Sequence, residues 1–161
     1  MRGLVCALAV VLAACGPAPA PENTTKPELK AVPAPPPPHA VRDHTSMLPP
    51  NNQTAVRIVQ DHILDQPKLP GGTLGDYKAG GKKFQMFIID TEDAQSAAFL
   101  VMDAKSFLQN PEYLSSFGGY FGSDGKQPVF IFSKLHYLAG VAGLPKNEAD
   151  PLARVLASRL N

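Results

Sequence analysis

Hydrophobic positions fall into three regimes along the chain: an unbroken apolar run from Leu4 to Leu12, a stretch from Gly16 to Pro50 with few large apolar residues, and a patterned segment from Asn51 to Asn161. The patterned segment opens with a helical period. Across Thr54 to Asp65, the residues Ala55, Val56, Ile58, Val59, His62 and Ile63 share one arc, and a break from Pro67 to Gly72 follows, which predicts a first helix. Leu74 to Ala79 and Lys83 to Ile89 are apolar-rich runs joined by Gly80-Gly81, a pair suited to the positive φ angles of a tight hairpin. A second helix is expected next, with Thr91 as its cap, Glu92 and Asp93 at its positive end, and Ala94, Ala97, Ala98, Val101, Ala104 and Leu108 on one face. Pro111 stops it.

Three further runs, Phe117 to Gly122, Val129 to Ser133 and His136 to Ala142, predict a meander. Ser123-Asp124-Gly125-Lys126 makes its first turn; the second, near Lys134-Leu135, lacks Gly or Asn, so its register stays open. A last helix starts at Asp150-Pro151 and points Leu152, Val155, Leu156 and Leu160 inward. The order α-ββ-α-βββ-α, with about five mainly antiparallel strands, predicts a single small α+β domain. Phe84 to Ile89 and Val129 to Phe132 are apolar on both faces, as expected of central strands covered on each side.

Composition sharpens this division. Eleven of the chain's seventeen prolines lie between Gly16 and Pro50, including Pro35-Pro36-Pro37-Pro38. Proline fixes its own φ and disfavours helix in the residue before it, so residues 15–50 read as a disordered, extended leash. At about 3.1 Å per residue such a leash reaches roughly 100 Å. Residues 51–161 carry eleven Lys plus Arg against eleven Asp plus Glu. Balanced, interspersed charge provides no footprint for nucleic acid and no polybasic membrane patch.

The N-terminal run carries the sharpest signal. Arg2 precedes the apolar core Leu4 to Leu12, which is too short for the about 20 apolar residues that a membrane span requires, and small residues follow. Leu12-Ala13-Ala14-Cys15 resembles the lipobox of bacterial lipoproteins. The resemblance implies cleavage of a signal peptide spanning residues 1–14, acylation of the Cys15 thiol, and a lipid-anchored place in the cell envelope. With Gly16 rather than Asp next, the family's sorting rule points to the outer membrane where there are two. Several acyl chains hold such a protein permanently, since each buried methylene contributes about 0.8 kcal/mol. With Cys6 removed and Cys15 acylated, no thiol is left for a disulfide or a Cys-based metal site.

Chemistry is harder to find in the domain. Phe117-Gly118-Gly119-Tyr120-Phe121-Gly122 sets three aromatics in glycine-thinned backbone, either a recognition surface or core rings on a bent hairpin. Phe99, Leu100 and Phe107 fall outside the inward arc of the second helix; the expected first helix is their natural cover, and without it they become the interface. Leu138 to Gly143 is a run of small side chains suited to packing against a helix. His39, Asp43, His44, Thr45 and Ser46 sit in the leash, where nothing is expected to fix them. His62 and His136 have no spaced ligand partner, and no carboxylate pair stands out for acid and base work. The reading is a non-catalytic binding or accessory domain that needs no metal or cofactor, with the membrane, an envelope protein or a cell-wall ligand as partner. The alternatives are a structural subunit of an envelope complex, or a cell-envelope hydrolase drawing on His62, Asp76, Tyr120 and His136.

Overall fold

Four β-branched residues, Thr54, Val56, Ile58 and Val59, crowd the segment expected to open the domain as a helix, and such side chains fit a pleated surface better than a helical turn. In the computed structural model, which describes residues 40–161, this segment is strand β1 (Gln53–Asp61). The predicted first helix is therefore corrected. The arc does not alternate, since Val56 packs on one face and Val59 on the other, and pairing with the next strand overrides it. The segment expected to be a signal peptide, Cys15 and the proline-rich stretch to His39 lie outside the described residues.

The chain continues through β2 (Pro70–Ala79), β3 (Lys82–Asp90), helix α1 (Ala94–Phe107), β4 (Gln109–Leu114), β5 (Gly119–Ser123), β6 (Pro128–Lys134), β7 (Tyr137–Ala142) and helix α2 (Lys146–Arg159). The class is α+β with a mainly antiparallel sheet. Among the described residues that sheet has seven strands rather than about five, in the order β1-β2-β3-β7-β6-β5-β4, and two α-helices rather than three. Besides β1, the unforeseen strand is β4. Its polar sequence Gln109-Asn110-Pro111-Glu112 hides it from any hydrophobic pattern, because an edge strand buries little.

The predicted β2–β3 hairpin is present, with Gly80 and Gly81 both at positive φ (57° and 78°). The open register of the last hairpin resolves to a two-residue loop in which Lys134 pairs with Tyr137 and Leu135 takes φ 54°, a conformation that costs a branched residue energy. α1 is capped by Asp93, whose carboxylate accepts from the Ser96 N–H at 2.7 Å, and not by Thr91. The Thr91 hydroxyl instead donates to the His136 carbonyl at 2.6 Å. Taking on that backbone hydrogen bond holds the Asp93 carboxyl below its usual range. α2 begins at Lys146, a turn earlier than expected, with Pro151 inside it and Val155 turned outward.

The sheet separates two cores. On one face α2 covers Phe84, Met86, Ile88, Phe130, Phe132, Ala139 and Val141; on the other α1 covers Phe87, Ile89, Val129, Ile131 and Leu138. β3 and β6 are central and covered on both sides, as their apolar runs predict. The small residues of β7 serve helix packing: Ala139 meets the α2 layer, where Ala149 and Ala153 are also fully buried, while Gly140 leaves room for the Phe87 ring.

Residues 41–50 form a strap across the sheet, inside the stretch whose composition reads as leash. Leu48 is 2 % exposed, and the Pro49 carbonyl accepts from the Tyr77 hydroxyl at 2.9 Å. Arg159, at the end of α2, donates to the carbonyls of Met47 and Ser46, both at 2.8 Å. Proline content hides this packing, because one well-placed Leu and a few backbone carbonyls suffice to dock a strap.

Candidate functional site

β5 alternates its side chains across the sheet and so divides the aromatic motif. Phe117, in the turn before β5, packs edge-on against Phe130 (ring centroids 5.0 Å apart) and tilted against Phe132 (5.1 Å) on the α2 side. Phe121 joins the same side, 6.4 Å from Phe130. Tyr120 points to the α1 side, where Tyr113 of β4 lies 5.5 Å away and the Lys105 ammonium stands 5.2 Å over its ring. The glycines have backbone reasons: Gly118 takes φ 62°, and a Cβ on Gly119 would strike the Ile131 carbonyl. The motif is thus part core and part surface, not one continuous recognition stripe.

Two exposed features remain at this end of the sheet. On the α2 side, Ser116, Phe117, Phe132, Ser133, Lys134 and Arg154 line a groove of about 430 Å³. The Arg154 guanidinium lies 5.1 Å from the Phe117 ring centre while bonding Asp150, and Lys134 donates to the Ala157 carbonyl. On the α1 side, Phe99, Met102 and Tyr113 are 61 %, 53 % and 60 % exposed. Phe99 and Met102 are neighbours on the helix surface at i, i+3, and Met102 sulfur reaches the Tyr120 hydroxyl at 4.0 Å, so the row is continuous from α1 to β5. The helix expected to cover Phe99, Leu100 and Phe107 does not form. Leu100 and Phe107 pack in part against the α1-side core, leaving Phe99 outermost.

Sequence reasoning missed a polar cluster at the strap. Asp90, at the end of β3, accepts from Arg42 at 3.2 Å and pairs with His44 Nε2 at 3.0 Å through Oδ2, while His136 Nε2 stands 3.7 Å from Oδ1. The His44 backbone N–H donates to the fully buried Thr73 hydroxyl, and the His44 ring meets Tyr137 edge-on at 5.3 Å. The carboxylate is only 10 % exposed, and Oδ1 has no hydrogen-bond partner. Three cationic or imidazole groups on one carboxylate make a clasp that fastens the strap. A single signal pointed to it, a His and an Arg spaced by one residue in the supposed leash, and tertiary folding alone supplies Asp90.

The four residues considered for hydrolysis are dispersed over separate contacts. Asp76 pairs with Arg57 and accepts from Gln85 at 2.7 Å, His62 lies 3.3 Å from Asp61, His136 belongs to the Asp90 clasp, and Tyr120 to the exposed row. No group of three or more His, Cys, Asp or Glu side chains is arranged to hold a metal ion among the described residues. No helix of the described residues is long and apolar enough to cross a membrane. Comparison with protein-family models, with curated proteins and with solved structures finds no match to this chain.

Proposed function

We propose that the chain is a lipid-anchored bacterial envelope protein, held to the membrane through Cys15, whose α+β domain acts by binding an envelope partner rather than by catalysis. The observation that carries the binding role is the continuous exposed row Phe99, Met102, Tyr113 and half-buried Tyr120 at one end of the sheet. Aromatic and methionine side chains gain most from being covered by a partner, and Lys105 beside them supplies a polar rim. The groove at Phe117 on the opposite face is the second contact in this reading. Residues between Cys15 and the strap hold the domain off the membrane surface, the outer membrane where the cell has two.

Two experiments test the halves separately. Labelling cells with a radioactive fatty acid is expected to mark the wild-type chain and not Cys15→Ala; equal incorporation overturns the anchor. A photo-reactive amino acid at position 99 or 113 is expected to give one discrete cross-linked product in intact cells, which the companion change Met102→Ser weakens. Labelling no stronger than at exposed Val155 on α2 overturns the binding surface.

A further inference from the structure

α1 lies over β5, β6 and β7, so on its side of the sheet the face of β1, β2 and β3 is left to the turn at Ile63–Asp65. A pocket opens there. Between that turn, the three strands and the turn from β5 to β6 lies a volume of about 210 Å³, below the about 300 Å³ at which drug-sized sites begin, so its occupant is about the size of one ring. One wall is strained: His62, Leu64 and Asp65 take φ 53°, 56° and 56°, and a Leu in the left-handed region is an outlier that a packed surround must hold. Ile63, fully buried, and Leu64 itself supply that hold. We propose that this pocket binds a single neutral sugar residue bearing an acetamido group.

Neutrality follows from the charges already matched. Arg57 pairs with Asp76, Lys126 with Asp65 at 3.5 Å, and His62 stands 3.3 Å from Asp61, so each cationic or imidazole group around the pocket has its own carboxylate. A charged ligand would have to compete with an ion pair already made. The unmatched capacity lies in two half-buried carboxamides. Gln85 donates from Nε2 to Asp76 at 2.7 Å, while its Oε1 and the whole Gln127 amide have no hydrogen-bond partner among the described residues. Gln127 sits against Gly143, where a Cβ would stand 3.3 Å from its Oε1. Gln85 pairs with Ala142 and Ala142 with Val129, two residues past Gln127, so at least two strand spacings, about 10 Å, separate the two backbones, with the small Ala142 between them. A carboxamide offers a donor beside an acceptor, the pattern an acetamido group returns in reverse, and the second carboxamide suits ring hydroxyls. Val59, Leu64 and Leu74 give an aliphatic floor to the methyl and to the C–H face of the ring.

Titrating the full chain in detergent with N-acetylglucosamine, followed by amide NMR shifts, tests this. Saturating shifts at Leu64, Gln85 and Gln127 are expected. Glucose, which lacks the acetamido group, and glucosamine, which carries a charge in its place, should each bind about tenfold more weakly. No saturating shift at these residues, or equal binding of glucose or glucosamine, overturns the proposal. Gln127→Leu should weaken N-acetylglucosamine binding about tenfold, and so should Gln127→Glu, which keeps the shape and loses the donor; thermal unfolding checks that each folds. Met102→Ser, on the exposed row of α1, should leave the affinity unchanged. Binding undiminished in a folded Gln127 variant, or weakened as much by Met102→Ser, overturns the site.

Discussion

The two edges of the sheet are finished in opposite ways. β4 is short, exposed at five of six positions, interrupted in register between Gln109 and Glu112, bent by Asn110 at φ 50°, and carries Pro111, which has no N–H to offer. β1 is half as long again, extended and rich in β-branched residues. One edge repels another strand through its covalent chemistry; the other leaves its outer backbone groups to be paired. At β4 the exposed apolar side chains reach off α1 and β4, and at β1 the exposed large apolar side chain is Ile58.

The comparison can be broken most severely at the strap that backs β2 and the β1 end. Leu48→Ala removes a side chain that touches the α2-side core and should cost about 2–5 kcal/mol in denaturant unfolding. A loss near zero would mean that the strap contributes nothing to the domain. Next in size is an alkaline effect confined to the same region. Burial raises the Tyr77 phenol above its ordinary 10.0, and burial followed by the Asp90 charge raises Tyr137. The folded chain keeps these protons when the unfolded chain releases them, so their contribution is intact below about pH 10 and is lost as pH rises further. Unfolding midpoints measured from pH 8 to 11 should fall at the upper end, less steeply in Tyr137→Phe.

Smaller effects sharpen the contrast between the edges. Pro111→Val restores a donor to β4 and should change stability by less than about 0.5 kcal/mol while promoting self-association at that edge, read by light scattering. Unchanged solution behaviour would show that the bend at Asn110 guards the edge without the proline. Phe99→Ser, at an exposed helical position, should leave stability within about 0.5 kcal/mol, checked by the same unfolding curves.

Much of the interior was legible before any coordinates, for reasons tied to particular residues. Phe84 to Ile89 and Val129 to Phe132 are apolar on both faces because β3 and β6 are covered on both sides, and Gly80-Gly81 announces its hairpin because few other residues hold two positive φ angles. The periphery was not legible. Thr54 to Asp61 carries a helical arc that strand pairing overrides, β4 is polar, and the strap looks like linker, since each lies where burial is partial and pattern is weak. Of the exposed row, Phe99 and Tyr120 stood out in the sequence, whereas Met102 joins them because α1 lies beside β5 and Tyr113 because β4 returns along it.

By itself, then, the sequence determined the α+β class, the two central strands, the glycine hairpin and the division between a proline-rich stretch and a patterned domain, because composition and local backbone preference act over a few neighbouring residues. Tertiary structure alone decided that the opening segment is a strand, that Asp90 gathers Arg42, His44 and His136, and which strands lie at the edges. Those outcomes depend on groups dozens of residues apart, whose interaction free energy exists only once the sheet has brought them together.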